Sequence, residues 1–206
     1  MAVTLNASTS SGLVQTADTS GNIELQSNGT TKATVSSSGL AIGQYNPSTS
    51  LITSGTAVAS TSGTSIDFTS IPSWVKRITV MFQGVSTNGS SPHIMRLGTS
   101  GGFVTSGYAS GGIYTGVSTG SGNRTDGLLL DGNGTAAGVL LQGHSVLTNI
   151  SGNSWVQSFV MGQSDSAYAV MGGGSISLAG TLTQIRITMA NGTDTFDAGS
   201  INILYE

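Results

Sequence analysis

Lys76-Arg77-Ile78-Thr79-Val80-Met81-Phe82-Gln83 alternates strictly, with Ile78, Val80 and Phe82 on one side and Arg77, Thr79 and Met81 on the other. A two-residue period is that of a β-strand with one buried face, because successive side chains point to opposite sides of a sheet. Thr183-Gln184-Ile185-Arg186-Ile187-Thr188-Met189 and Ser200-Ile201-Asn202-Ile203-Leu204-Tyr205 repeat the pattern. One apolar and one polar face is what antiparallel sheets packed on a single side require. Strand-sized runs at 126–130, 139–147, 154–161, 167–171 and 175–178 fill the interval. Asn88-Gly89, Asp126-Gly127, Asp131-Gly132, Asn133-Gly134 and Asn191-Gly192 are dipeptides that tolerate positive φ in tight turns. No stretch of helical length shows a 3.6-residue period, and Glu, Lys and Gln are scarce. These features predict an all-β chain whose residues 55–206 form an antiparallel β-sandwich, jelly-roll-like, of roughly eight to ten strands.

The N-terminal quarter reads differently. Tyr45 is the only aromatic residue before Phe68, so the main core is expected after about residue 55. Ser11-Gly12-Leu13-Val14, Ser20-Gly21-Asn22-Ile23-Glu24-Leu25, Asn28-Gly29-Thr30-Thr31-Lys32-Ala33-Thr34-Val35 and Ser38-Gly39-Leu40-Ala41-Ile42 form a loose repeat of glycine turns and short alternating stretches. Such thin strands cannot fold alone, since a buried methylene contributes only about 0.8 kcal/mol while ordering a residue costs about 1–2 kcal/mol. Either identical chains packed around a common axis supply the missing surface, or the segment is a flexible Ser/Gly linker. Residues 46–55 read as a connector, which places an intertwining shaft or attachment segment at 1–54 and a head at 55–206.

Composition narrows the chemistry. The 206 residues include 31 glycines, about 60 Ser and Thr, no cysteine and only 7% charged residues, with a net charge of −3. The glycines have no three-residue period, which excludes collagen, and 37% hydrophobic content at low charge excludes full disorder. Disulfides, thiolate nucleophiles and thiolate metal sites are absent with the cysteines. Six scattered basic residues make no stripe for a phosphate backbone, so nucleic acid is not an expected partner. No apolar run is long enough to span a bilayer, and Met1-Ala2-Val3-Thr4-Leu5-Asn6 does not begin an export signal of the usual kind.

Few residues point to catalysis. His93 and His144 are the only histidines, His93 after Ser91-Pro92 in an expected loop and His144 within a strand-like run, and no G-x-S-x-G elbow surrounds a serine. Asp126/Asp131 and Asp194/Asp197 are the closest carboxylate pairs of the kind a glycosidase needs, but both sit among turn residues, where Asp caps its own backbone. Asp131-Gly132-Asn133-Gly134 lacks the ligand alternation of a calcium loop, and Gly132 to Gly138 is a turn rather than a dinucleotide loop. No catalytic residue, metal site or cofactor is expected. Tyr108 and Tyr114, in glycine-rich surroundings, are read as exposed aromatics suited to sugar faces or protein contact, or else as packing against the sandwich or a neighbouring subunit.

Val3-Thr4-Leu5-Asn6-Ala7-Ser8 through Ser38-Gly39-Leu40-Ala41-Ile42-Gly43 resembles the N-terminal segments of bacteriophage fibre and virion appendage proteins. Ile66-Asp67-Phe68-Thr69-Ser70-Ile71-Pro72-Ser73-Trp74-Val75-Lys76-Arg77-Ile78-Thr79-Val80, and the ending Phe196-Asp197-Ala198-Gly199-Ser200-Ile201-Asn202-Ile203-Leu204-Tyr205-Glu206, resemble segments of phage structural proteins. The resemblance implies a homotrimer in the virion, with an N-terminal segment that meets other virion proteins and a head that binds a host surface glycan or protein. Alternatives are a capsid fibre, cement or decoration protein and, more remotely, a polysaccharide-degrading spike. Because the matching residues are structural, no catalytic residue is carried over.

Overall fold

The faces read from the alternation are the faces the chain uses. In the computed structural model, which describes residues 21–42 and 52–206, Ile78, Val80, Phe82, Ile185, Ile187, Met189, Ile201 and Ile203 are buried and Arg77 and Met81 are not. The described elements are strands throughout, and none is a helix. The chain divides into two compact units, Met1–Leu51 and Ile52–Glu206. The opening residues, the Ser11-Gly12-Leu13-Val14 copy of the repeat and residues 46–51 of the expected connector lie outside the described residues.

In the first unit β1 (Ile23–Ser27), β2 (Thr30–Ser36) and β3 (Gly39–Ile42) form one antiparallel sheet in the order β1-β2-β3. Asn28 and Gly29 both take positive φ (52° and 72°), the conformation a two-residue hairpin turn needs. Ile23, Leu25, Val35 and Leu40 stand 37–49% exposed, so these strands leave their apolar side chains in contact with solvent.

The second unit contains β4 (Thr53–Ser54), β5 (Val58–Ala59), β6 (Ser65–Phe68), β7 (Arg77–Thr87), β8 (His93–Thr99), β9 (Gly102–Phe103) and β10 (Ala109–Thr115). After these come β11 (Thr119–Arg124), β12 (Leu128–Leu129), β13 (Leu141–Ser151), β14 (Ser154–Gln163), β15 (Tyr168–Ser177), β16 (Gln184–Met189) and β17 (Phe196–Tyr205). A nine-stranded sheet runs β11-β10-β15-β14-β13-β7-β17-β4, with β5 also on β17, and a five-stranded sheet runs β12-β8-β16-β6, with β9 on β8. Both contribute to a single core that holds Ile78, Val80, Leu147 and Ile201 from the large sheet and Ile94, Leu97, Ile185 and Ile187 from the small one. Full burial of each such side chain contributes about 1.5–3 kcal/mol.

Several strands escape a reading by period. Fourteen are found in this unit, more than the expected number, because four are two-residue fragments too short to carry an alternation. Thr53–Ser54, assigned to the first segment by sequence, pairs with Leu204 and Tyr205 at the edge of the large sheet. Strand β8 is buried at nearly every position, so His93 begins a strand rather than lying in a loop. The runs at 167–171 and 175–178 join into β15 because Gly172-Gly173-Gly174 continue the strand instead of ending it.

Those glycines are there because something else occupies the space. Gly112 pairs with Gly172, and Phe159 pairs with Gly172 from the other side. A Cβ on Gly172 would collide with Gly111 O and lie 2.6 Å from Phe159 Cε1, and one on Gly112 would lie 2.9 Å from Asp131 O and 3.0 Å from Phe159 Cζ. The Phe159 ring thus lies over a floor without side chains, and the backbone at Asp131 comes down beside it. Glycine inside a strand often marks such a close approach. Above this floor, Leu129 is held by the large sheet through both backbone groups: its N–H donates to Ser110 Oγ (2.8 Å) and its C=O accepts from Gln157 Nε2 (2.8 Å).

On the opposite face of the large sheet the register sets Ser121, Ile113, Met171, Val160, His144, Met81 and Asn202 side by side in one row across six strand pairings. Ile113, Met171 and Val160 are exposed, and the row contains no Asp, Glu, Lys or Arg.

Two glycine substitutions separate space from propensity. Gly172→Ala should lose about 1–3 kcal/mol or more in denaturant titration through overpacking. Gly162→Ala, where a Cβ meets nothing within 4 Å, should gain about 0.5–1 kcal/mol from the better strand residue. Equal effects at the two positions would refute the close-approach account.

Candidate functional site

Strand parity carries the inner face of the large sheet beyond the core. Tyr114 shares a face with Ser110 and Gly112, and Tyr168 shares one with Val170, yet both tyrosines are only half-buried. They line a cleft of about 390 Å³ together with Ser118, Asn133, Thr135 and Gln163. The two rings meet edge to face, with centroids 5.7 Å apart and planes at 88°, the arrangement favoured by aromatic quadrupoles.

Glycines seat both rings. A Cβ on Gly120, the cross-strand partner of Tyr114, would collide with the Tyr114 phenol, and one on Gly116 would lie 2.7 Å from Tyr168 Cδ1. The Tyr168 hydroxyl is hydrogen-bonded to Ser118 Oγ at 3.1 Å, which ties the β15 ring to the turn between β10 and β11.

The far wall of the cleft hangs on one carboxylate. Asp131 is fully buried; its Oδ1 accepts from the backbone N–H groups of Asn133 (2.9 Å) and Gly134 (2.8 Å), and its Oδ2 from the backbone N–H (2.8 Å) and ring Nδ1–H (3.0 Å) of His93. Asn133 and Gly134 both take positive φ (107° and 106°), so these bonds fix a turn that the backbone alone would not favour. Burial pushes the Asp131 carboxyl up, but its bonds from the His93 ring, the His93 N–H and the Gly134 N–H together hold it below the usual carboxylate value. His93 Nε2 is buried with no hydrogen-bond partner among the described residues.

The other residues singled out by sequence are dispersed. Tyr108, read either as an exposed aromatic or as packing against the sandwich, is 2% exposed; its hydroxyl accepts from Leu97 N–H (2.8 Å) and lies 3.0 Å from Val104 O, and burial pushes its pKa up to about 12. It closes the core. Tyr114 does reach the cleft. His144 is exposed on the opposite face of the large sheet, between Met81 and Val160. Asp126 takes two hydrogen bonds from Arg124 (2.7 and 2.9 Å), which hold its carboxyl below the usual range, so it is not partnered with Asp131. Asp194 accepts from Ser91 N–H and from Asn191, while Asp197 is bonded to Ser86. Among the described residues no group of three or more His, Asp or Glu is placed to hold a metal ion.

Tyr168 and the Asp131–His93 pair were missed by sequence reasoning. Alternation in Tyr168-Ala169-Val170 gives the face of Tyr168 but not the point at which the core ends. His93 and Asp131 are 38 residues apart, and no local pattern joins them. Comparison with family models, curated proteins and solved structures gives no match for this chain.

Asp131→Asn tests the anchor. A depressed carboxyl contributes stability that is complete above its unfolded value, about pH 4, and is lost as the pH falls through its folded value. The variant should be less stable at neutral pH, by about 1–3 kcal/mol, the range for losing hydrogen bonds to a buried charged group. Its stability should also fall less steeply than that of the wild type below about pH 4. Superimposable pH profiles from urea titrations would show that Asp131 carries no such charge.

Proposed function

We propose that this is a non-enzymatic phage virion protein, a homotrimeric tail fibre or spike whose jelly-roll-like head binds the host surface. The observation that carries the reading is the N-terminal sheet, where Ile23, Leu25, Val35 and Leu40 are all exposed on strands too thin to cover them. Identical chains around one axis bury such surface at no cost in sequence diversity, because closed cyclic symmetry repeats the same contact. The Ile113–Met171–Val160 row, free of Asp, Glu, Lys and Arg, is a second surface compatible with close neighbours. Support for the jelly-roll-like topology comes from the chain path, which passes repeatedly between the sheets: β6 in the small, β7 in the large, β8 in the small, β10 in the large, β12 in the small and β13 in the large.

In this reading the first segment joins other virion proteins and the heads act by avidity. Several weak sites on one rigid axis raise the effective affinity without any strong single contact. All four arginines are paired with carboxylates, Arg77 with Glu206, Arg96 and Arg124 with Asp126, and Arg186 with Asp67.

Sedimentation equilibrium of the full chain should give three copies, and Leu25→Asp with Val35→Asp should dissociate them; a monomeric wild-type chain would end the shared-axis reading. Immunogold imaging of particles should place the protein at the tail. Label spread over the capsid would instead favour a decoration protein, and release of reducing ends from host polysaccharide would overturn the non-enzymatic reading.

A further inference from the structure

We propose that the cleft between Tyr114 and Tyr168 is a binding site for a single uncharged sugar residue. The proposal gives the host-binding reading a ligand class and rests on that reading for its biological role. Three observations converge on it.

The first is the lining. Two tyrosines provide apolar ring surface, Ser118 and Thr135 provide hydroxyls, and Asn133 and Gln163 provide amides that both donate and accept. A pyranose has the matching chemistry, with C–H groups on one face that pack on an aromatic ring and hydroxyls around its rim that need both donors and acceptors. A cleft of about 390 Å³ is within the range of small-molecule sites, roughly 300–1,000 Å³.

The second is charge. No charged side chain lines the cleft. Asp131, behind the 133–134 turn, is fully buried and already accepts four hydrogen bonds, and Arg124 is committed to Asp126. A phosphate or a sugar acid would therefore lose hydration without meeting a cation, a penalty that a neutral sugar does not incur.

The third is preorganisation. Gly116 and Gly120 seat the rings, Ser118 ties down the Tyr168 hydroxyl, and Asp131 sets the 133–134 turn. Groups already held in place lose little freedom when a ligand arrives, so a small contact area still yields measurable affinity.

The test is saturation-transfer NMR on the full chain with glucose, galactose and N-acetylglucosamine, each compared with glucuronic acid and N-acetylneuraminic acid. At least one neutral sugar should bind, and the acids should bind more weakly. Tyr114→Ala and Tyr168→Ala should each weaken binding about tenfold, as expected when an aromatic anchor is truncated. Ala136→Gln, which adds bulk at the cleft lining while leaving both tyrosines in place, should also weaken binding, so a folding defect in one alanine variant does not decide the result. Binding of none of the neutral sugars, or binding unchanged in both alanine variants and in Ala136→Gln, would overturn the proposal. Adhesion of the same proteins to a panel of bacterial strains separates the two ideas. Adhesion equal in wild type and Ala136→Gln would sink the cleft and spare the host-binding reading, whereas sugar binding without adhesion to any strain would do the reverse.

Discussion

With no Cβ at Gly112 or Gly172, the Phe159 ring lies across two neighbouring strands and the segment carrying Leu129 and Asp131 comes down onto the large sheet. From that contact much of the second unit follows. Ser110 and Gln157 can reach the Leu129 backbone only at this separation, and Asp131 is thereby delivered to His93 and to the 133–134 turn. A pair of methyl groups at those glycines would lift the segment away, taking the cleft wall with it. The high glycine content is in this respect a packing device, and the glycines in strand interiors are as informative as those in turns.

How much of this was legible from the sequence depended on whether a residue's role is local. Ile78, Val80 and Phe82 announced their burial by alternation, as did Ile185, Ile187 and Ile201, since one face toward a core is a local property. Strand β8 did not, because burial on both faces erases the alternation. Gly172 to Gly174 resembled punctuation, since the groups that require them, the Phe159 ring at Gly172, Gln157 O at Gly173 and Ala109 O with Leu128 at Gly174, are contributed by other strands and segments. Tyr108 and Tyr114 look alike in sequence, six residues apart among glycines, yet one hydrogen-bonds the core backbone and the other lines a cleft. The difference is where the cover ends, a tertiary property to which neither side chain's neighbours contribute.

The sparse charges are used with economy. Arg186 forms a two-point contact with Asp67 while its guanidinium lies 4.2 Å from the centre of the Phe103 ring, and Arg124 grips Asp126 with the same fork geometry. These planar, directional pairs fix register between β16 and β6 and brace the turn ahead of β12. Exposed pairs of this kind contribute little stability by themselves, about 0–1 kcal/mol each. Their larger effect is to leave a surface of hydroxyls, amides and apolar side chains with little net field, which suits short-range contact better than long-range attraction.

The division of labour around Tyr114 and Tyr168 also bears on how such a protein can change over generations. The seats of the rings, Gly116 and Gly120, the Ser118 tie to Tyr168 and the anchor Asp131 are constrained by close contacts, whereas Thr135 and Ala136 line the cleft from its margins and stay outside the core. Substitutions at those marginal positions alter what the cleft presents while leaving the scaffold's stability nearly unaffected. What the cleft displays can therefore drift quickly on a frame that must stay fixed, a separation of tempo built into one end of a single sheet.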